Sequence, residues 1–563
     1  MNKRIVVIGG SAAGPKAAAK AKRLDQHAEV TIIQKSPDLS MASCGYPYYV
    51  GGFFDDRNAL LSTPIGVVRD PKFYLKAKGI TAKTQTEALS IDRENRVVHC
   101  RDLVSGVEFD EPYDKLVLAT GATPIIPPVP GHDLPGITTL QSMQDADFLR
   151  KIVDEQSVSK AVIVGGGLIG IETCEALQQA GIQITTIEML PQILTFLDWD
   201  LAKLLENHVR MHAANVITDN PVTAFLSENG KLAGVRLKSG TELPCELAVI
   251  AVGVRPNVAL ARSAGLTVGA RGGITVNEFL QTSDEHIYAV GDCIEVRNRL
   301  TGESAPAPYG DLANLEGRVA ARNVIEGNHI VFPGTIQTGI CKVFDFAAGS
   351  TGLSETRARA QGFDAVSCVT SGLDKPHFMG AKLLILKMTV DRKTGKLLGL
   401  QAVGPGDASK RIAEAAMAIM GNLTIEELVN ADLPYAPPFS PAVDNLIMAA
   451  HVMENKLLGR MKGISVVEFK ERLDRKAPMY IIDIRSAEEF EETRLGVGEV
   501  LIPLGALRGR LADLPQDKET EIVVYCKTSL RAYEAETFLE AHGWSNVLVV
   551  EGGLAVWPYA REK

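Results

Sequence analysis

Closely spaced cysteine pairs are missing from this sequence. Its eight cysteines lie at positions 44, 100, 174, 245, 293, 341, 368 and 526, and none of them shows CxxC spacing. A zinc ribbon requires such pairs and is excluded, and the scatter also argues against a disulfide framework. We therefore expect no metal site, and most of the thiols should be small apolar side chains within cores.

Long apolar runs and an excess of positive charge are also missing. The longest apolar stretches, such as residues 5–8 and 161–164, are strand-sized and far shorter than the roughly 20 residues of a membrane span. Lys plus Arg number 59 against 68 Asp plus Glu, which argues against a nucleic-acid-binding surface. The N-terminal residues enter a strand at once and lack the order of a secretory signal. We expect a cytoplasmic protein that contacts neither membrane nor nucleic acid.

The chain is too long for one hydrophobic core. It has 563 residues, whereas an ordinary domain has about 100 to 200. Hydrophobic residues make up 46% and charged residues 23% of the chain, as in soluble globular proteins. We expect three or four globular domains.

The N-terminal stretch IVVIGGSAAG predicts a βαβ unit. A β-branched run ends in a small-residue turn that contains Gly9, Ser11 and Gly14, and an alanine-rich helix and a second strand follow. Such a turn lets backbone N–H groups approach a pyrophosphate at the helix N-terminus. The second strand ends in Gln34 rather than an acid, and an amide can still hydrogen-bond a ribose hydroxyl.

A second βαβ unit begins in AVIVGGGLIGIETCEAL. Gly165, Gly167 and Gly170 stand in G-x-G-x-x-G order between a strand and a helix, and the next strand, ITTIE, ends in Glu188. A carboxylate there suits the ribose hydroxyls of NADH and repels the 2′-phosphate of NADPH. The pattern predicts an NADH site.

Two more strand ends carry polar or glycine residues. One strand leads into Ala119, Thr120 and Gly121, and another into Asp292. The carboxyl ends of parallel strands are where doubly wound sheets bind ligands, and a flavin ribityl hydroxyl is a suitable partner for a buried Asp292.

These four motifs, in their order along the chain, resemble those of the flavoprotein disulfide reductases that have two dinucleotide-binding domains. The resemblance covers residues 1 to about 450. It implies that the first βαβ unit, with Gln34 and Lys35, binds FAD together with the stretches at residues 119–121 and 291–292. It also implies that the second unit binds NAD(P)H. It also implies a C-terminal dimerisation domain and hence a homodimer.

The stretch SMASCGYPYYVGG resembles the SFxxCGxPY motif of the single-cysteine branch of that family. The branch contains coenzyme A disulfide reductases, NADH-dependent persulfide reductases, and NADH oxidases and peroxidases. It implies that Cys44 is the redox residue. The peroxidases carry a histidine where this chain has Ala12, and the family phenylalanine is Met41 here, so peroxide chemistry is disfavoured.

The same resemblance implies a coenzyme A site. Lys20, Lys22 and Arg23 match basic positions that contact nucleotide phosphates in coenzyme A disulfide reductases, and Ser40 belongs to the same expected site. A solvated helix face is the alternative interpretation of the three basic residues.

The family also supplies tyrosines from the partner subunit near the cysteine. Tyr435 in YAPPF matches one of them. At the other position this chain has His377 and Phe378, so a phenolic proton donor is missing there.

The last hundred residues resemble a rhodanese domain in IIDIRSAEEF, YCKTSLRAYEA and GGLAVWP. Cys526 ends a strand and begins a loop that closes at Arg531. The loop N–H groups, the helix N-terminus and Arg531 would stabilise a thiolate or persulfide anion. Asp483 and Arg485 form the expected pair, and Ser529 stands where many rhodaneses have glycine. The sulfur donor stays open.

The expected fold class is α/β, with two Rossmann-like domains, an α+β dimerisation domain and an α/β rhodanese domain. The expected boundaries are residues 1–122 and 246–326 for the FAD-binding domain, 123–245 for the NADH-binding domain, 327–452 for the dimerisation domain, 453–466 for a linker and 467–563 for the rhodanese domain.

The whole chain thus resembles the coenzyme A disulfide reductase-rhodanese fusions. The resemblance implies that NADH and FAD reduce the sulfane sulfur of a persulfide or polysulfide to hydrosulfide, with Cys44 carrying the sulfur and Cys526 delivering or receiving it. Three alternatives stay open: a coenzyme A disulfide reductase, an NADH oxidase, and a sulfurtransferase or sulfur carrier that needs no NADH.

Overall fold

A computed structural model describes residues 2–563 of the chain. It divides into two compact units, one formed by residues up to Pro191 with Ala213–Thr335, the other by Gln192–His212 with Ile336–Lys563. Within the described residues, no helix is both long enough and apolar enough to cross a membrane.

Elements are numbered along the whole chain. The helices of the first unit are α1 (Ala13–Leu24), α2 (Tyr46–Val50), α3 (Pro71–Phe73), α4 (Met143–Glu155), α5 (Leu168–Gln179), α7 (Ala259–Ser263) and α8 (Gly310–Glu326). Its strands are β1 (Arg4–Ile8), β2 (Glu29–Ile33), β3 (Thr81–Lys83), β4 (Thr86–Asp92), β5 (Val97–Asp102), β6 (Glu108–Pro112), β7 (Lys115–Leu118), β8 (Ala122–Pro124), β9 (Ile137–Thr138), β10 (Lys160–Val164), β11 (Gln183–Ile187), β12 (Asn215–Ile217), β13 (Val222–Glu228), β14 (Lys231–Leu237), β15 (Glu242–Pro244), β16 (Leu247–Ile250), β17 (Val254–Pro256), β18 (Ile287–Ala289), β19 (Glu295–Arg297) and β20 (Ser304–Pro306).

Two parallel five-stranded sheets form the frame of the first unit. The first has the order β18-β7-β1-β2-β3, and the second has the order β12-β11-β10-β16-β9. All pairings in both sheets are parallel. The strands are short β-branched runs buried on both faces, as expected where helices cover both sides of a sheet. The carboxyl ends of β1 and β10 therefore present the two glycine-rich turns.

The second unit contains helices α6 (Trp199–Met211), α9 (Glu355–Ala360), α10 (Ala408–Met420), α11 (Ile425–Leu428), α12 (Asn445–Leu457), α13 (Val466–Asp474), α14 (Ala487–Glu492), α15 (Leu504–Leu507) and α16 (Leu530–Ala541). Its strands are β21 (Gly339–Val343), β22 (Phe346–Gly352), β23 (Ala365–Leu373), β24 (Leu383–Asp391), β25 (Leu397–Gly404), β26 (Gly463–Ile464), β27 (Tyr480–Asp483), β28 (Val500–Leu501), β29 (Ile522–Tyr525) and β30 (Val547–Val550).

The second unit contains two five-stranded sheets of opposite kinds. The antiparallel sheet has the order β21-β22-β25-β24-β23, and the parallel sheet has the order β26-β30-β29-β27-β28. The first carries helices as an α+β domain does, and the second alternates with helices as a small α/β domain does. The predicted α/β fold class is confirmed, whereas the exact domain boundaries stay a prediction.

Polar contacts hold the parallel sheet of the second unit against its antiparallel sheet. The buried Glu551, just after β30, accepts a hydrogen bond of 2.9 Å from the backbone N–H of Val369 in β23. It also pairs with Lys456 at the end of α12. Ser371 Oγ donates to the carbonyl oxygen of Gly552 at 2.9 Å. The C-terminal domain is thus anchored to the neighbouring domain and is not merely tethered to it by a linker.

Candidate functional site

The two glycine-rich turns of the first unit have the same backbone geometry. Gly9 and Gly165 have φ angles of +116° and +113°. A Cβ atom added to Gly9 would lie 2.0 Å from the carbonyl oxygen of Ala119, and one added to Gly165 would lie 2.4 Å from that of Ala251. Both positions therefore require glycine. A Cβ added to Gly167, by contrast, would meet no atom within 4 Å, which leaves space for a ligand at the start of α5.

The predicted ribose-binding residues lie against these turns. Gln34 Oε1 accepts a hydrogen bond of 2.8 Å from the N–H of Gly10, and Glu188 Oε2 accepts one of 2.7 Å from Gly166. The two turns thus use the same contact with different side chains. Lys35 lies at the first turn's strand end but forms an exposed ion pair of 2.7 Å with Glu87.

The strand ends around the first turn also come together as predicted. Thr120, after β7, donates to the carbonyl oxygen of Asn257 at 2.7 Å. Asp292 follows β18, and burial raises the pKa of its carboxyl group. No hydrogen bond from another residue to the Asp292 carboxylate is found among residues 2–563. A carboxylate that lacks a donor beside a dinucleotide-binding turn fits a flavin ribityl hydroxyl, so these residues are suited to hold FAD.

Cys44 lies in a short 3-10 turn, Ser43–Gly45, directly before α2. Pro47 stands in the first turn of that helix, where its missing N–H is not needed. The thiol is exposed. Surrounding protein atoms still displace enough water to raise its pKa, and the carboxylates of Glu172 and Asp292 add to the rise. These protein groups do not by themselves favour the thiolate.

Glu172 is a functional candidate that the sequence did not reveal. It lies in α5, where burial raises the pKa of its carboxyl group to about 7. The hydroxyl of Tyr48 approaches its Oε1 at 3.5 Å. The available signal was one acid in the apolar helix segment IGIETC, but 128 residues separate it from Cys44, and nothing local indicates that they act on each other.

A cavity of about 360 Å³ lies beside the segment that leads into Cys44. Ser40, Met41 and Ala42 form part of its wall. Ser40 Oγ and Tyr74 Oη lie 2.5 Å apart in that wall. Four cations contribute to the lining: Lys16, Arg23, Arg69 and Lys78.

The predicted basic residues of α1 divide between two environments. Arg23 lines the cavity, as does Ser40, whereas Lys20 and Lys22 are absent from its lining. Lys22 Nζ donates to the carbonyl oxygens of Gln26 and Ala28 at 2.8 and 2.7 Å, which fixes the turn after the helix. The sequence did not indicate the other three cations of the cavity. Arg69 and Lys78 come from a different segment of the chain, and Lys16 belongs to no recognised motif.

The residues expected to act from a partner subunit lie in the second unit. Tyr435 is 53% exposed and Phe378 is 67% exposed. The rings of His377 and Phe378 are 5.5 Å apart in an edge-to-face arrangement. Large exposed aromatic groups are available there for a further chain.

Cys526 lies in the second unit at the end of β29, where the loop to α16 wraps around it. The thiol is buried. Glu489 accepts two hydrogen bonds from Arg531, at 2.7 and 2.8 Å. This pairing raises the pKa of Arg531, with a further contribution from Cys526. It also lowers the pKa of Glu489 to about 2. Arg531 is therefore held beside Cys526 as a fixed cation, and Glu489 is the positioning residue that the sequence analysis missed.

Ser529 lies in this loop, whereas the pair of Asp483 and Arg485 lies at the end of β27. Ser529 has φ +77°, a left-handed conformation that favours glycine, which explains why many rhodaneses have glycine there. Arg485 and Asp483 form a fully buried ion pair of 2.7 Å. Arg485 also donates to the carbonyl oxygens of Glu489 and Thr493. The pair thus ties β27 to the helix that carries Glu489.

Comparison with protein-family models places three families along the chain. The model for pyridine nucleotide-disulphide oxidoreductases matches residues 3–308, more than half of the chain. The chain belongs to the pyridine nucleotide-disulphide oxidoreductase family. The dimerisation domain of that family matches residues 338–447, and a rhodanese-like domain matches residues 465–559.

The oxidoreductase is similar to proteins of known structure over its full length. A NAD-dependent persulfide reductase from A. fulgidus is 40% identical, with a TM-score of 0.93 over 98% of this chain and 100% of that one. The Bacillus anthracis CoADR-RHD structure is 32% identical, with a TM-score of 0.91 over 99% of this chain and 98% of that one. Among curated relatives, the NAD(P)H coenzyme A polysulfide/persulfide reductase of Pyrococcus horikoshii is 35% identical over 81% of this chain and 99% of its own length.

These findings confirm the resemblance to the coenzyme A disulfide reductase-rhodanese fusions and the assignment as an oxidoreductase. Membership of the family implies FAD and NAD(P)H as cofactors, and the two turns described above fit them. The individual site residues stay predictions.

Proposed function

We propose that the enzyme reduces the sulfane sulfur of persulfides or polysulfides to hydrosulfide with NADH and FAD. The observation that carries the proposal is a single accessible thiol, Cys44, beside a cavity lined by cations, in a chain that also has a rhodanese loop around Cys526. The persulfide reductases among the similar proteins support the same chemistry.

The chemistry at Cys44 needs no resolving cysteine. The Cys44 sulfur attacks the outer sulfur of the donor, the donor's sulfur–sulfur bond breaks, and the donor leaves as a thiolate. Cys44 then carries one additional sulfur. When bound, FAD supplies the electron pair from NADH that releases this sulfur as hydrosulfide and restores the thiol. Glu172, with a pKa of about 7, is suited to exchange the proton that the restored thiol requires.

We further propose coenzyme A as the thiol that brings the sulfur. The cavity before Cys44 has room for an extended ligand, and its cations Lys16, Arg23, Arg69 and Lys78 would bind phosphate groups. Lys20 and Lys22, which do not line the cavity, would then contribute only positive charge near the bound phosphate groups. Coenzyme A disulfide reduction is the second candidate function, because one of the similar structures is a CoADR-RHD protein.

NADH is the proposed electron donor. Both carboxylate oxygens of Glu188 accept backbone hydrogen bonds, from Gly166 and from Leu190. These two bonds fix the carboxyl group at the strand end, where it would repel a 2′-phosphate.

A homodimer is the proposed assembly. Large apolar side chains of the dimerisation domain are exposed in the single chain, among them Met417 at 68% and Phe439 at 70%. Exposed apolar groups of this size mark an interface. Tyr435, also exposed, would reach the partner's Cys44 region from this surface, and light scattering of the purified enzyme would show the mass of two chains.

The test is anaerobic NADH oxidation by the FAD-loaded enzyme, with sulfide release measured in parallel. Coenzyme A persulfide, polysulfide, coenzyme A disulfide and oxygen are supplied one at a time, and NADPH replaces NADH in a second series. The variants are Cys44→Ser and Cys526→Ser, with Cys245→Ala as the control for loss of a thiol elsewhere. We expect sulfide release that requires NADH and Cys44 and continues in the control.

The other outcomes identify the alternatives. Fast turnover of coenzyme A disulfide with little sulfide from persulfide would make the enzyme a disulfide reductase. Turnover with oxygen alone would make it an oxidase. Sulfide release that persists in Cys44→Ser would overturn the proposal.

A further inference from the structure

Two histidines and an aspartate converge in the second unit. His208 lies on α6, His212 caps the C-terminus of that helix four residues later, and Asp345 lies in the turn that joins β21 to β22. His208 Nε2 is 2.8 Å from Asp345 Oδ1, and His212 Nε2 is 3.5 Å from the same oxygen. One ligand atom from each of the three residues lies within 4.8 Å of the others.

The spacing fits a metal ion. Ligand atoms bound tetrahedrally at about 2.0 to 2.2 Å from zinc lie about 3.3 to 3.6 Å from each other. The His212 to Asp345 distance of 3.5 Å already has this value. The His208 to Asp345 distance of 2.8 Å would have to widen, and all three ligand atoms lie within 4.8 Å of one another. Positions i and i+4 of a helix present both imidazoles on one face.

The imidazoles are oriented before any ion binds. His212 Nδ1 lies 3.0 Å from the carbonyl oxygen of His208. A carbonyl can only accept, so Nδ1 carries the proton and the lone pair of the ring is on Nε2, the atom that faces Asp345. Phe346 stacks on His208 with ring centroids 3.6 Å apart, and Phe344 stacks on His212 at 4.3 Å. The two aromatic residues flank Asp345 in the hairpin, so the hairpin both supplies a ligand and fixes the rings.

We propose that His208, His212 and Asp345 bind one divalent transition-metal ion, with zinc as the reference case. Two imidazoles and one carboxylate are an ordinary ligand set for such ions. The side chain of Asp345 is 63% exposed, so water can reach the ion as a fourth ligand. The ion would connect α6 to the β21–β22 hairpin, which is more than a hundred residues away in the chain. The site is independent of the proposed sulfur chemistry, because neither Cys44 nor Cys526 is among its ligands. The competing explanation is a His–Asp ion pair without metal.

The experiment titrates chelator-treated, FAD-loaded enzyme with Zn²⁺ by calorimetry and with Co²⁺ by visible absorption. Asp345→Asn and His212→Gln each remove one ligand. His99→Gln is the matched control, because His99 forms a similar 2.7 Å pair with Asp110 but has no second histidine. Cys526→Ser and Cys44→Ser show whether any of the bound ion is held by these thiols instead of by the histidines.

We expect about one equivalent of Zn²⁺ per chain that persists in both cysteine variants and in His99→Gln. Removing a ligand should weaken its binding at least about tenfold. Zn²⁺ should also raise the melting temperature of the wild type and of His99→Gln, but not that of Asp345→Asn. Equal zinc binding by wild type and by both ligand variants, or binding that disappears only with the cysteines, would overturn the proposal and leave an ion pair.

Discussion

At the scale of single residues, the charge on Glu172 has the largest electrostatic effect on Cys44. Burial raises the pKa of Glu172 from 4.5 to about 7, so the carboxyl is largely neutral in mildly acidic solution and becomes an anion as the pH rises. Because its folded pKa is above its unfolded value, the stability it contributes is complete below about pH 4.5 and is lost as the pH rises through about 7. The same ionisation opposes the Cys44 thiolate.

Glu172→Gln should therefore make Cys44 more reactive. Without the anion, the pKa of the thiol falls, and alkylation of Cys44 by iodoacetamide at pH 8 should be about twofold faster or more. The gain should disappear below pH 6, where Glu172 of the wild type is protonated. Mass spectrometry of the Cys44 peptide measures the rate. Glu155→Gln, at the exposed end of α4, is the control, and an equal gain there would contradict the assignment.

At the scale of elements, two glycines of the second glycine-rich turn differ in the space around them. A Cβ added to Gly170 would lie 2.0 Å from the carbonyl oxygen of Gly165, which prevents α5 from closing on its turn. Gly167, at the N-terminus of the same helix, has open space instead. In the sequence, Gly167 and Gly170 are both simply glycines of the G-x-G-x-x-G motif, and this difference between them is not visible.

Gly167→Ala and Gly170→Ala should consequently fail in different ways. Gly170→Ala should lower the melting temperature by several degrees, because a clash with backbone cannot be relieved by a side-chain rotation. Gly167→Ala should keep the wild-type melting temperature while the KM for NADH rises about tenfold, since the new methyl group occupies the space for the pyrophosphate. Thermal unfolding and steady-state kinetics distinguish them, and a destabilised Gly167→Ala would show that this space is not a ligand site.

At the scale of the whole molecule, the rhodanese-like domain is fixed to the domain that precedes it. Glu551 is almost fully buried and contacts both Lys456 and the N–H of Val369. A domain held in this way does not swing freely, and sulfur transfer by a large excursion of Cys526 would first have to break these contacts.

Glu551→Gln should loosen this attachment. It leaves Lys456 without its anion and should cost about 2 kcal/mol of unfolding free energy. The three tryptophans, Trp199, Trp544 and Trp557, all lie in the second unit, so their fluorescence in denaturant reports on it. Faster hydrogen exchange in β30 should accompany the loss. Glu562→Gln, which removes an exposed pair with Arg494, should change little, and equal effects of the two variants would contradict the anchoring role.

Features that depend on neighbouring residues in the chain could be predicted from the sequence. Short-range backbone geometry dictates which residues fit a tight turn or a strand end. The sequence therefore indicated both βαβ turns, the strand-end residues Gln34 and Glu188, and the loop from Cys526 to Arg531. The absence of a cysteine near Cys44 indicated the single-cysteine branch of the family, because a redox-active cysteine pair would be close together in the sequence.

Which distant groups act on one another depends on how the elements pack. The tertiary structure brought Glu172 close enough to affect Cys44 and assembled the cavity cations from separate segments. It also paired Glu489 with Arg531 and joined Asp345 to the two histidines at the C-terminal end of α6. These sites depend on burial and on side-chain distances of a few ångströms between segments far apart in the chain. No periodicity or spacing encodes such distances, because they arise from the packing of whole elements.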